Sequence, residues 1–364
     1  MPNICVFIQS LLSGGAEKQA VLLAETLSGS NDVLLVVWKG NCTEDKFIDY
    51  IEKNNIRTIY LRGNIINRLI KLVFLFIHEK IDIVFSFLAS NNLYGSIAGK
   101  LSGVKFIIGG IRNNEIPFLK FIIQRFLHNY ILDYTIFNNY SGYANLKKKG
   151  FKGKKCFVIP NCFELNTLPI SRLDKGRINV ISVARFIAQK DYQTAIKAIT
   201  YLATHLIGKS NIQIRYTIIG YGILENQIRS QVSQSGLDEI ATIIINPPNL
   251  PLYLKQADIF LTTSLFEGTS NSILEAMSYS LPIVATDAGD NNKLVLNDQN
   301  GYLTPKKDYV LLAENLLKLC ESITLRNQFG LYSYNHLRDN YSVTAFQKKY
   351  LTFINETLKC QKSG

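Results

Sequence analysis

Short apolar runs rich in Ile, Val, Leu and Phe alternate along the chain with longer stretches whose apolar residues recur at helical spacing. In the first half, residues 4–8, 33–37, 58–61, 83–87, 106–109, 134–137 and 156–159 are predicted as strands, with amphipathic stretches such as 16–27 and 65–79 between them. Strands alternating with helices indicate βαβ units and a parallel sheet. Around residues 161–175 the pattern lapses into Asn, Pro, Ser and charged residues, which marks a linker. The alternation restarts with predicted strands at 178–183, 216–219, 242–245, 259–261, 283–285 and 301–303, and the last 50 or so residues are helical in pattern. The expected organisation is a first domain over 1–168, a second over 169–342, and a C-terminal helix over 343–364 packing back on the first. A length of 364 residues agrees with two domains.

Hydrophobic residues make up 47% of the chain and charged residues 19%, enough apolar content for ordinary globular cores. The formal net charge is +12, which favours anionic partners without choosing among phosphates, nucleic acid and acidic membrane surfaces. Six cysteines, with no C-x-x-C pair, point to free thiols in a reducing compartment rather than to a zinc or disulfide framework. The start lacks the positive n-region of a signal peptide, and no uncharged apolar run reaches the roughly 18 residues of a membrane span. These features indicate a cytoplasmic protein.

In open parallel sheets ligands bind beyond the carboxyl ends of the strands, so the residues just after each strand carry the candidate chemistry. One such segment is Leu265-Phe266-Glu267-Gly268-Thr269-Ser270-Asn271-Ser272-Ile273-Leu274-Glu275. A helix is expected to begin near Ser270 or Asn271, and the small polar residues before it expose backbone N–H groups as an anion site. Glu267 and Glu275 would border that pocket. The competing reading is a capping box, with Ser272 as N-cap and Glu275 three residues later. A second segment, Ala184 to Asp191, sets Arg185 after a strand and Lys190 at the entry to the next helix, with Asp191 as its cap. A guanidinium fork and an ammonium at one mouth could grip a diphosphate, although such a pair alone also fits a solvated surface.

Together these segments resemble glycosyltransferase family 4, whose fold is called GT-B. The resemblance runs through GGAEK (14–18), VIPN (158–161), ARFIAQKD (184–191), IIGYG (218–222), ADIFLTTSLFEGTSNSILEAM (257–277), LPIVATDAGD (281–290) and NGYLTP (300–305). It implies two Rossmann-like parallel-sheet domains facing a central cleft. It further implies that Arg185 and Lys190 neutralise the donor diphosphate and that Glu267 contacts the transferred sugar. The loop Gly268, Thr269, Ser270 and the amides of Asn271, Ser272 and Ile273 would bind the phosphates, and Glu275 the ribose hydroxyls. Gly15 would let the first loop approach the donor, and Gly289 would lie near the sugar. The implied reaction is retaining transfer of a hexose or N-acetylhexosamine from a nucleoside diphosphate sugar, with UDP as carrier, to a lipid-linked or surface-polysaccharide glycan. No cofactor and no metal are expected, in keeping with the absence of a D-x-D motif.

The chain departs from the family pattern in places. Many members carry a His after the fifth strand, where this chain has Gly109-Gly110-Ile111-Arg112, so Arg112 is assigned the missing contact to sugar or phosphate. The four histidines, at 78, 128, 205 and 336, lie in helical patterns and are expected at surfaces or interfaces. Ser280 replaces a common Gly, and Asn246-Pro247-Pro248-Asn249 replaces a Gly-containing loop near the base. Residues 65–74 and 116–127 are basic amphipathic patterns that could rest on an anionic leaflet and present Arg68, Lys71, Lys120 and Arg125 to lipid phosphate at the inner face of the cell membrane. The same spacing also fits core packing. Competing functions are a GT-B-type sugar-nucleotide epimerase and a basic nucleic-acid-binding module; nucleic acid is not expected as a partner, because the aromatics follow core periodicity rather than interleaving with Lys and Arg. A dinucleotide dehydrogenase is disfavoured because Glu225 stands where the third glycine after Gly220 and Gly222 belongs. A glycosidase would need Glu267 and Glu275 to flank a scissile bond.

Overall fold

A computed structural model describes the chain except residues 13–14, 113–116, 166–167, 175, 207–211 and 361–364. Its strands are β1 (Asn3–Ile8), β2 (Asp32–Val37), β3 (Thr58–Tyr60), β4 (Ile83–Ser86), β5 (Phe106–Ile111), β6 (Tyr134–Phe137), β7 (Cys156–Val158), β8 (Arg177–Val183), β9 (Gln213–Gly220), β10 (Ala241–Ile245), β11 (Ile259–Thr262), β12 (Ile283–Thr286) and β13 (Gly301–Thr304). All pairings are parallel, in two sheets of order β3-β2-β1-β4-β5-β6-β7 and β10-β9-β8-β11-β12-β13. Helices cover both faces of each sheet, so central strands bury every residue: β4, β11 and β12 are buried from end to end. This is why their sequences are continuous apolar runs rather than alternating ones. The edge strands β3 and β7 are only half-buried.

The chain divides into two compact units, Met1–Cys162 with Val343–Gly364, and Phe163–Ser342. The final helix, Val343–Cys360, returns to the first unit and places Phe346, Tyr350, Phe353 and Ile354 in the core that also holds β1, β2 and β4 residues. Phe163 and Ser342 form a parallel bridge, and Phe163 N–H donates to the Tyr341 carbonyl at 2.8 Å, so the two chain crossings lie side by side. Residues 170–172, inside the predicted linker, are stitched into the second unit. Arg172 is buried and donates to the carbonyls of Ala257 (2.6 Å), Ser280 (2.6 Å) and Tyr279 (2.9 Å), while Ile170 N–H donates to the Ser280 hydroxyl at 3.0 Å. Burial pushes the Arg172 guanidinium down to about 10. Ser280 sits at φ +53° just past the helix Asn271–Ser278, which explains why a glycine also suits that position.

In each sheet the chain runs outward in both directions from one point, between β1 and β4 in the first and between β8 and β11 in the second. The crevice at the carboxyl ends of such paired strands is where α/β sheets bind ligands.

The histidines are not alike. His78 is exposed and His336 half-exposed, but His128 is fully buried in the turn Leu127–Ile131. Its Nε2 lies 3.1 Å from the Lys152 carbonyl and its Nδ1 2.8 Å from Thr135 Oγ1. Since a carbonyl only accepts, the proton sits on Nε2 and the Thr135 hydroxyl donates to Nδ1. Burial lowers the imidazole below its ordinary value. The neutral form is therefore the folded form. Stability contributed here is complete above the unfolded value of about 6.5 and declines as pH falls below it. Urea unfolding at pH 5.5 and 7.5 should show the loss, and His128→Asn should lose less between the two pH values than the natural chain.

Candidate active site

The second unit's switch point carries most of the predicted donor-site residues. β8 ends at Val183, and Ala184 N–H still donates to the Ile219 carbonyl (3.0 Å), leaving Arg185 exposed at the strand's carboxyl end. Phe186, fully buried, fixes that turn: its N–H donates to the Tyr221 carbonyl at 2.8 Å and its carbonyl accepts from Leu224 N–H at 3.1 Å. Gly222 sits at φ +150°, and a Cβ there would lie 2.6 Å from the Phe186 carbonyl oxygen. The glycines of IIGYG thus let the β9 loop press on the Arg185 turn, a structural use that needs no dinucleotide.

The turn Ala188–Lys190 is tied to the segment after β11 by several bonds. Thr263 Oγ1 lies 3.0 and 2.8 Å from the carbonyls of Lys190 and Asp191, Leu265 N–H donates to the Gln189 carbonyl at 2.8 Å, and Gln189 Nε2 donates to the Phe266 carbonyl at 2.7 Å. Asp191, at φ +45°, caps the helix Tyr192–Tyr201 and receives the Thr194 hydroxyl at 2.7 Å. This lacing points the Lys190 ammonium at Glu267, and the two form an ion pair with side chains only 14% and 9% exposed. An ammonium has three N–H donors, so pairing with one carboxylate leaves capacity for phosphate oxygens.

The helix Asn271–Ser278 starts beside this pair in sequence, with Ser270 as its N-cap. Ser270's side chain makes no capping hydrogen bond to the helix; its hydroxyl lies 3.2 Å from that of Ser272. The first N–H groups of a helix have no partner within it, and the dipole there favours negative charge. Ser272 lies inside the helix, so the capping box of Ser272 with Glu275 does not form. Ile273 is fully buried and anchors this first turn in the core. Glu275 is half-buried one turn further on; after burial itself, its carboxylate is what raises the Tyr279 phenol.

The loop after β12 closes against Glu267. Gly289 has φ +60°, and a Cβ on it would fall 2.0 Å from the Glu267 carbonyl oxygen. Asp290 N–H donates to the Gly268 carbonyl at 3.3 Å, and Thr286 Oγ1 donates to the Ser264 carbonyl at 2.7 Å. Gly289 therefore touches the backbone of a candidate sugar-contacting residue. Asn246, in the loop that replaces a glycine-containing one, takes φ +39° and donates its N–H to Gly220 (3.2 Å). Asn tolerates this left-handed backbone better than most residues.

The remaining candidates lie in the first unit. Gly15 opens the helix Gly15–Ser28, and Gly14 lies outside the described residues. Arg112 lies over the Phe87 ring at 4.1 Å and donates to Asn161 Oδ1 at 2.9 Å, and burial lowers its guanidinium even with Tyr350 bonded to it. It also lines a cavity of about 340 Å³ at the ends of β4 and β5, with Ser90, Lys120 and Gln124. Arg68 is turned onto Trp38, over its ring at 4.8 Å and donating to its carbonyl at 3.1 Å; Lys71 is exposed. Arg172, which clamps the far end of the Asn271–Ser278 helix, was not anticipated; an arginine within an apparent linker was the only signal.

Residues 166–336 match the family model of glycosyl transferases group 1. That match takes in nearly the whole of the second unit, which is similar to the group 1 glycosyltransferases. Among known relatives, the amylovoran biosynthesis glycosyltransferase AmsK of Erwinia amylovora is 31% identical over 152 residues, which take in 40% of this chain and 36% of AmsK. The N-acetylgalactosamine-N,N'-diacetylbacillosaminyl-diphospho-undecaprenol 4-alpha-N-acetylgalactosaminyltransferase of Campylobacter jejuni is 23% identical over 350 residues, covering 90% of this chain and 93% of the relative. Among solved structures, Anabaena Alr3699/HepE in complex with UDP superposes with a TM-score of 0.82 at 17% identity, over 97% of this chain and all of that one. The two parallel sheets are those of the GT-B fold.

Proposed function

We propose that this chain is a group 1 glycosyltransferase that transfers a hexose or N-acetylhexosamine from a UDP-sugar to a lipid-linked or surface-polysaccharide glycan, with retention at the anomeric carbon. The observation that carries this reading is the Lys190–Glu267 ion pair, set at the β8/β11 switch point and followed in sequence by a helix whose N-terminus has no side-chain cap. The UDP carrier is supported by the nucleotide named in the HepE structure, and the lipid-linked acceptor by the diphospho-undecaprenol in the name of the Campylobacter relative. Such an acceptor sets the reaction at the inner face of the cell membrane.

In the proposed mechanism, negative charge grows on the departing diphosphate as the sugar becomes cationic. Lys190, Arg185 and the amides of Asn271, Ser272 and Ile273 are placed to meet that charge, and preorganised donors of this kind supply the largest catalytic contribution. Glu267 orients Lys190 and contacts the sugar, while Glu275 takes the ribose hydroxyls. With fixed cations in this role, no metal is needed, so excess EDTA should leave turnover unchanged.

A thermal-shift panel of UDP, GDP, ADP and their sugars tests the donor. UDP at 100 times its Kd should stabilise the protein by about 2.7 kcal/mol, with smaller shifts for GDP and ADP. No shift with any nucleoside diphosphate would overturn the reading.

A further inference from the structure

Three helices of the first unit, Ile65–His78, Ala89–Ser102 and Phe118–Phe126, pack side by side over one face of its sheet. Their inner sides are ordinary core: Leu72, Phe76 and Ala98 are fully buried. Their outer sides are apolar as well. Ile66 is 69% exposed and Phe74 67%, at i and i+8 of one stripe; Leu101 is 68% exposed; Phe118 and Leu119 are each 75% exposed and Ile122 49%. Isolated exposed apolar residues are normal, but a band of large ones across adjacent helices marks an interaction surface.

The charge on the band decides its partner. None of the three helices contains an Asp or Glu. Their exposed cations, Lys71, Lys100, Lys120 and Arg125, stand among the apolar residues. An isologous contact with a second copy would bring these cations against one another. An anionic bilayer satisfies both halves of the pattern, because apolar side chains enter the headgroup boundary while Lys and Arg meet lipid phosphate. Among the described residues no helix is long and apolar enough to cross a membrane, so the contact is lateral rather than spanning.

We infer that this three-helix band is a docking face for an anionic lipid bilayer, entered by Ile66, Phe74, Leu101, Phe118, Leu119 and Ile122. The inference deepens the membrane setting proposed for the reaction, and its test is independent of the donor site. Lys120 lines the Arg112 cavity from the same helix that presents Phe118 and Leu119, so docking would hold that cavity close to the lipid surface.

The test is co-flotation with phosphatidylcholine vesicles, with and without phosphatidylglycerol. The natural chain should float with the anionic vesicles, and less of it as NaCl rises, since salt screens the Lys and Arg contribution. Phe74→Glu with Leu119→Glu should lower partitioning at least about tenfold. The melting shift produced by UDP should be unchanged in that double variant, which shows that it is folded and separates docking from the donor reading. Failure of the natural chain to float with anionic vesicles would overturn the inference, as would a double variant that floats equally well. A concentration-dependent dimer that the double variant abolishes would assign the face to a second copy and overturn it too.

Discussion

Replacing Lys190 by alanine is expected to lower turnover at least about 100-fold. Lys190 ends a turn that hydrogen bonds from Thr263, Leu265 and Gln189 lace to the segment after β11, and its ammonium meets Glu267 where both side chains are largely buried. A cation fixed in this way needs no reorganisation as charge grows on the leaving diphosphate, and losing one such donor costs about 3–4 kcal/mol of transition-state stabilisation. The substitution also removes the ammonium from the Glu267 carboxylate, and losing one partner of a buried ion pair is itself destabilising. Lys190→Ala combined with Glu267→Gln relieves that second effect. Recovery of the melting temperature in the double variant assigns the instability to the carboxylate, while turnover of Lys190→Ala measured well below its own melting temperature reports the catalytic loss. UDP release measured against donor concentration, beside thermal unfolding, checks both. Near-natural turnover in Lys190→Ala would contradict the site.

Gly289→Ala should damage the same site from its other side. The residue has φ +60°, which L side chains adopt at a cost, and the added methyl would lie 2.0 Å from the Glu267 carbonyl oxygen. Backbone rather than a flexible side chain blocks it, so the loop or Glu267 must move. A stability loss of about 1–3 kcal/mol is expected from the backbone conformation, with the clash adding to it. Because the displaced group is the candidate sugar contact, kcat/KM for the donor sugar should fall further than UDP affinity does. Ala at Gly103, which also has positive φ but has open space around its Cβ position, provides the comparison. Equal effects at both positions would mean that only the backbone conformation matters.

Much of this was legible in the sequence because burial imposes a simple pattern. β4, β11 and β12 are covered on both faces and so appear as uninterrupted apolar runs. The segment from Glu267 to Glu275 was legible because a strand end, small polar residues and a helix start follow one another there. What escaped was set by long-range contacts. Arg172 lies in a stretch with linker composition, yet its fork closes on carbonyls of residues 85 to 108 positions away. His128 sits in a helical pattern that does not reveal the buried partners Thr135 and Lys152. Nor could periodicity tell the inner from the outer side of residues 65–78, since both are apolar; only the packing shows Leu72 buried and Phe74 exposed.

The central claim is that the donor's diphosphate docks between Lys190 and the first turn of the Asn271–Ser278 helix. A crystal structure of the chain with UDP tests it most directly. The account predicts phosphate oxygens at hydrogen-bond distance, roughly 3 Å, from Lys190 Nζ and from the N–H groups of residues 271–273. UDP bound elsewhere, or its phosphates turned away from both groups, would contradict it.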